Sequence, residues 1–127
     1  MSESTIIVFE RRPRYTPELQ RQFWGQQVSV RACRSIADIK QLRDSAPGAV
    51  LLLDLEAAPA EILQFLGGDV GRANAATVIV AASRHTAPLE WRVRELGAAE
   101  FLIEPVSGER LANLCRRQQT ANRLAAS

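Results

Sequence analysis

The chain is poor in the residues on which enzymes and metal sites most often draw. Its 127 residues include one histidine, His85, and two cysteines, Cys33 and Cys115. The cysteines stand far apart with no His or Cys beside them at metal-ligand spacing, so they read as small buried hydrophobes in a reducing compartment. No Ser or Cys near His85 is recognisable as its partner, so neither a catalytic triad nor general-base duty is indicated. Lysine is almost missing: Lys40 is the only one among 16 basic residues, and the rest are arginines, which pair with carboxylates and stack on aromatics better than lysine does. Fourteen acidic residues leave a net charge of +2 with no long run of like charge, which argues against a surface built for nucleic acid. No apolar stretch approaches the ~20 residues of a membrane-spanning helix. The start, Met1-Ser-Glu-Ser-Thr5, lacks the basic region and long apolar stretch of a signal peptide. A cytoplasmic location, with no membrane and no nucleic acid as partner, is the expectation.

What is present suits one globular unit. With 46% hydrophobic and 24% charged residues the composition lies far from that of disordered chains. Five short β-like runs recur: Thr5–Phe9, Val28–Ala32, Ala49–Leu53, Thr77–Ala81 and Glu100–Ile103. The first, third and fourth are continuously apolar, as strands covered on both faces are. Helical segments alternate with them. Thr16-Pro17-Glu18 reads as an N-cap, a proline at the first helical position and an acid in the first turn; Ser35-Ile-Ala-Asp38 approximates a capping box. Pro59-Ala-Glu61, Thr86-Ala-Pro88 and Ser107-Gly-Glu109 start the other three. Gly25, Gly48, Gly67-Gly68 and Gly97 supply stops. Strict β/α alternation implies a doubly wound five-stranded parallel sheet, a flavodoxin-like three-layer α/β sandwich. Residues 1–119 are expected to form it. The last helix carries Leu111, Leu114 and Cys115 on one face, but Gln118 and Asn122 continue that face, so residues 120–127 are expected to fray as a tail.

In such sheets ligands bind beyond the carboxyl ends of the strands, near the point where strand order reverses. The side chains there are Glu10 and Arg11 after the first strand, Asp54 and Glu56 after the third, Ala82 and Ser83 after the fourth, and Glu104 before Pro105 after the fifth. Gly67-Gly-Asp-Val-Gly71 follows a helix and lacks a Lys-Ser/Thr ending, so it reads as a loop and not as a phosphate cradle.

Two stretches carry a resemblance. Leu51-Leu-Leu-Asp54-Leu resembles the segment of response regulator receiver domains whose aspartate accepts a phosphoryl group. Leu96-Gly-Ala-Ala-Glu-Phe-Leu-Ile-Glu-Pro-Val106 resembles that family's Gly-Ala, aromatic, Lys-Pro stretch, and the likeness runs from the first strand to the fifth helix. It implies that Asp54 matches the phosphoacceptor and Glu10 one of two metal-binding acids. Phe9 stands where the second acid belongs, Ala82 where a Thr or Ser contacts the phosphoryl oxygen, with Ser83 next door, and Glu104 where the phosphate-binding lysine belongs.

Phosphoryl transfer to a carboxylate needs cations to neutralise the phosphoryl oxygens, so a glutamate at 104 turns an attraction into a repulsion. The reading is a degenerate, pseudo-receiver type of signalling module in two-component or phosphorelay signalling, without catalysis. Its acidic pocket comprises Glu10, Asp54 and Glu104 with Ala82 and Ser83. No cofactor is expected, a weak Mg²⁺ site at Glu10 and Asp54 being the alternative if Asp54 still accepts phosphate. Without a cation, like-charge crowding should raise at least one carboxyl pKa. Glu104 instead has an arginine such as Arg11 to pair with. A second alternative, a small-ligand-binding domain of the same fold, requires a deep apolar pocket at the strand ends.

On the fourth helix, Leu89, Val93 and Leu96 face the core and leave Trp91 on the far side near Arg94, an arrangement typical of interface anchors. In the receiver family the fourth helix, fifth strand and fifth helix form the surface for dimers and output partners, which here adds Phe101, Arg116 and Arg117. A protein partner or a homodimer on that surface is the expectation. Trp24 reads similarly on the first helix, with Leu19 and Phe23 as its core neighbours.

Overall fold

Five parallel strands in the order β2-β1-β3-β4-β5 make the backbone of the molecule: β1 (Ser4–Phe9), β2 (Val28–Cys33), β3 (Val50–Asp54), β4 (Val78–Ala82) and β5 (Glu100–Ile103). The computed structural model describes residues 4–68 and 77–126. Among these, five α-helices alternate with the strands: α1 (Tyr15–Gln22), α2 (Ile36–Ser45), α3 (Pro59–Gly67), α4 (Glu90–Glu95, entered through a 3₁₀ turn at Ala87–Leu89) and α5 (Gly108–Ala126). This is the doubly wound α/β sandwich that the alternation implies. Residues 69–71 of the glycine-rich loop lie outside the described residues.

Two apolar layers flank the sheet, because successive strand residues point to opposite faces. Ile7, Leu51, Leu53, Val80 and Phe101 pack under α2, α3 and α4 through Ile39, Ile62, Phe65 and Val93. Ile6, Val8, Leu52, Ile79 and Leu102 pack under α1 and α5 through Tyr15, Leu19, Leu111 and Cys115. Val50 to Leu53 are wholly buried, so each contributes roughly 1.5–3 kcal/mol of burial. No helix among the described residues is long and apolar enough to cross a membrane.

Three local expectations are corrected by the packing. The third and fourth strands sit one residue later than their apolar runs suggest, because the ladder pairs Asp54 with Ala81 and draws Asp54 into the strand. The first helix begins at Tyr15, with no side-chain cap from Thr16; Pro17 falls at its third position, still in the first turn, where an amide N–H has no partner within the helix. Through Asn122 the last helix stays against the body. Helix α5 continues to Ala126, Gln118 and Gln119 are buried against the domain, and Asn122 Nδ2 donates to the Gly48 carbonyl at 3.0 Å.

Candidate functional site

Strand β1 pairs with β2 on one side and β3 on the other, so the order of strands reverses between β1 and β3 and their carboxyl ends flank the switch point. Glu10 follows β1 and is buried, yet it does not stand open to the site. Its Oε1 accepts the backbone N–H groups of Arg14 at 3.1 Å and Tyr15 at 2.9 Å, and its Oε2 accepts that of Thr16 at 3.0 Å. The carboxylate therefore serves as the N-terminal cap of α1, where its negative charge also meets the positive end of the helix dipole.

That cap fixes Arg14 and Tyr15 at the mouth of the switch point. Arg14 Nη2 donates to Glu104 Oε1 and to the Tyr15 hydroxyl at 3.0 Å, and it lies 3.8 Å from Asp54 Oδ2. The Tyr15 hydroxyl donates to the same Glu104 oxygen at 2.6 Å, and the guanidinium stacks on the Tyr15 ring, 4.4 Å from its centroid. Burial, followed by the hydrogen bond to Glu104, pushes the Tyr15 hydroxyl far above its ordinary pKa, so it is a donor at all physiological pH. Glu104 does pair with an arginine, but with Arg14 and not Arg11. The early start of α1 turns Arg14 toward the strand ends, while Arg11 stays exposed in the loop.

Asp54 ends β3, with Oδ1 accepting the Glu56 N–H at 3.2 Å. Its carboxyl is raised above the ordinary aspartate value, first by burial and only secondarily by the charges of Glu104 and Glu10, while Arg14 and the Glu56 N–H hold it down. The anticipated rise thus occurs, with desolvation as its main cause and crowding as a minor one. Ala82 is the buried last residue of β4. Ser83 opens the following turn, where its Oγ accepts the His85 N–H at 3.1 Å and its own N–H donates to Thr86 Oγ1 at 2.9 Å.

Mg²⁺ requires several oxygen donors in near-octahedral array. Both Glu10 oxygens are engaged by backbone N–H groups, and Asp54 and Glu104 face Arg14. Among the described residues no three His, Cys, Asp or Glu side chains come together in a group able to hold a metal ion. The cation that Asp54 and Glu104 share is the Arg14 guanidinium.

The interface candidates separate. Trp91 is 68% exposed, and Arg94 Nε pairs with Glu90 at 2.8 Å along the same helix. Phe101 is buried, because β5 is covered on both faces, and Ile103 is the β5 residue that reaches solvent. Arg116 turns toward α1, stacking 4.7 Å from the Phe23 centroid and bonding Asn113. Arg117 lies 3.8 Å from Glu100 of β5. Trp24 is exposed just beyond the end of α1 and not on it.

Beside the Arg14 cluster, between the start of α1 and the β5–α5 segment, lies a cleft of about 590 Å³. Pro105 and Val106 make its accessible apolar wall, over the nearly buried Tyr15 and Leu111. Arg14, Tyr15 and this cleft are what reading by sequence missed. The sequence carried no signal for them, because α1 starts two residues earlier than its threonine-proline pair suggests.

Neither a family model nor a curated protein matches the chain. Its structure is similar to that of a response regulator receiver domain protein from Clostridium thermocellum (TM-score 0.77, 14% identity, 96% of this chain and 98% of the other). It is also similar to a signal receiver domain from Vibrio parahaemolyticus (0.76, 16% identity, 98% and 95%). A third is the N-terminal receiver domain of a two-component response regulator from Bacteroides fragilis (0.75, 20% identity, 93% and 98%). At these identities the likeness is one of fold, and the chain has the fold of response regulator receiver domains.

Proposed function

We propose that the chain is a receiver-like signalling module that works by protein contact and does not depend on phosphorylation of Asp54. The observation that carries this reading is the Arg14 guanidinium bridging Asp54 and Glu104. A phosphoryl group arriving at Asp54 would have to displace that ion pair and would then face Glu104, with no metal-ligating group among the described residues to absorb its charge. Phosphoryl chemistry is electrostatic positioning above all, and here the positioning charges are already satisfied by one another. The three similar structures above are named as receiver domains, which supports a signalling role. The exposed Trp91 and Ile103 on α4 and β5 suit a protein partner or a second copy of the chain.

The test is the intact mass of the protein after incubation with acetyl phosphate and Mg²⁺, beside Asp54→Ala. The expected result is no adduct in either; an adduct that vanishes in Asp54→Ala would overturn the reading. Trp91→Glu should weaken any self-association seen by sedimentation while leaving that mass result unchanged.

A further inference from the structure

The cleft beside the Arg14 cluster has a volume within the range of small-molecule sites, roughly 300–1,000 Å³. Its charges are unevenly satisfied. Glu104 is held by Arg14 and Tyr15, and Glu18 by Arg21 at 3.0 Å. Arg84, on the Ser83–Thr86 turn, lines the same cleft with no ion pair or side-chain hydrogen bond to another described residue. The backbone that carries it is fixed by the two bonds of that turn. Glu18 lies so close over Gly108 that a Cβ there would overlap its carboxylate, which packs the Glu18 side chain onto the start of α5.

These features select a ligand class. The free guanidinium calls for an anion, and the accessible wall of Pro105 and Val106 calls for an apolar body. Inorganic phosphate has no apolar part to set against the wall, whereas an organic monoanion can reach Arg84 with its apolar part turned to it. We propose that this cleft binds a small organic carboxylate with an apolar body, its carboxylate on Arg84 and its body against Pro105 and Val106. Because Arg14 and Glu104 also line the cleft, an occupant touches the group that fills the switch point. It would give the module an input that needs no phosphorylation.

The probe is 2-naphthaleneacetate, titrated into the whole chain beside its neutral analogue 2-naphthaleneacetamide and inorganic phosphate, with backbone amide shifts followed by NMR. The acid should saturate with the largest shifts at Val106, Gly108 and Leu111, the amide should bind about tenfold more weakly, and phosphate should not saturate there. Arg84→Ala, at an exposed position, should lose about tenfold in affinity for the acid and erase the difference between acid and amide. Val106→Asp should weaken both. Failure of the acid to saturate, equal binding of acid and amide, insensitivity to Arg84→Ala, or shifts centred on Trp91 or Trp24 would each overturn the proposal. None of these outcomes bears on the mass test of Asp54, so the two readings fail separately.

Discussion

Helices α2 and α5 begin on their own serines, whereas α1 begins on a carboxylate lent by the strand before it. Ser35 Oγ accepts the Asp38 N–H and Ser107 Oγ the Arg110 N–H, both at 3.1 Å and both three residues ahead. Glu10 accepts three N–H groups from residues four to six ahead while itself buried. A serine cap ends a helix and does little else. The Glu10 cap also ties β1 to α1 and sets Arg14 and Tyr15 over Asp54 and Glu104. Glu10, which the resemblance places among metal-binding acids, is here engaged in holding Arg14 and Tyr15 beside Asp54 and Glu104.

The contrast is open to breakage first at Glu10. Glu10→Ala leaves three N–H groups near the core without an acceptor and should cost about 2–4 kcal/mol in urea unfolding. Ser35→Ala and Ser107→Ala should each cost about 1 kcal/mol. Equal losses at all three positions would show that Glu10 is an ordinary cap and would remove the physical basis for treating α1 as part of the site.

How much of this was legible in sequence follows the same division. Ser35 and Ser107 could be read as caps because donor and acceptor sit three residues apart. The continuous apolar runs at Ile6, Val50 and Val78 gave three central strands, since strands covered on both faces need no alternation. Arg14 could not be assigned, because residues 14, 54 and 104 meet only after the sheet adopts the order β2-β1-β3-β4-β5. Phe101 was misjudged for a related reason: β5 is an edge strand for backbone pairing but is buried on both faces by helices. Gln118 suggested a helix leaving the body because a polar residue on the buried face normally marks the end of packing. Here the face stays covered, and Asn122 finds the Gly48 carbonyl.

Asp54 sharpens the comparison from the other side of Arg14. Its folded pKa is raised, so the folded state holds the proton more firmly than the unfolded chain does. Stability from this group therefore falls as pH rises from the ordinary value of 3.8 through the folded value, and the penalty persists above it. Asp54→Asn should flatten that part of the profile and raise the unfolding midpoint at neutral pH. Arg14→Ala should steepen it, since the guanidinium is what holds the carboxyl down. Urea midpoints between about pH 4 and 7 will show this, and an unchanged slope in Arg14→Ala would mean that the guanidinium does not act on Asp54.

The smallest expected effect decides most directly between the two kinds of helix start. Thr16 is the residue whose type and neighbour suggest a local cap, yet its Oγ1 is buried with no hydrogen-bond partner while its N–H goes to Glu10. Thr16→Val keeps the shape and the branched β-carbon and removes only the hydroxyl. If Glu10 alone starts α1, the substitution discards an unsatisfied buried group and should be neutral or stabilise by up to about 1 kcal/mol in urea unfolding. If the threonine caps the helix as its sequence context suggests, the same change should cost about 1 kcal/mol, matching Ser35→Ala. The sign of one measurement thus tells whether the start of α1, and with it the position of Arg14, is set locally or by the carboxylate at the end of β1.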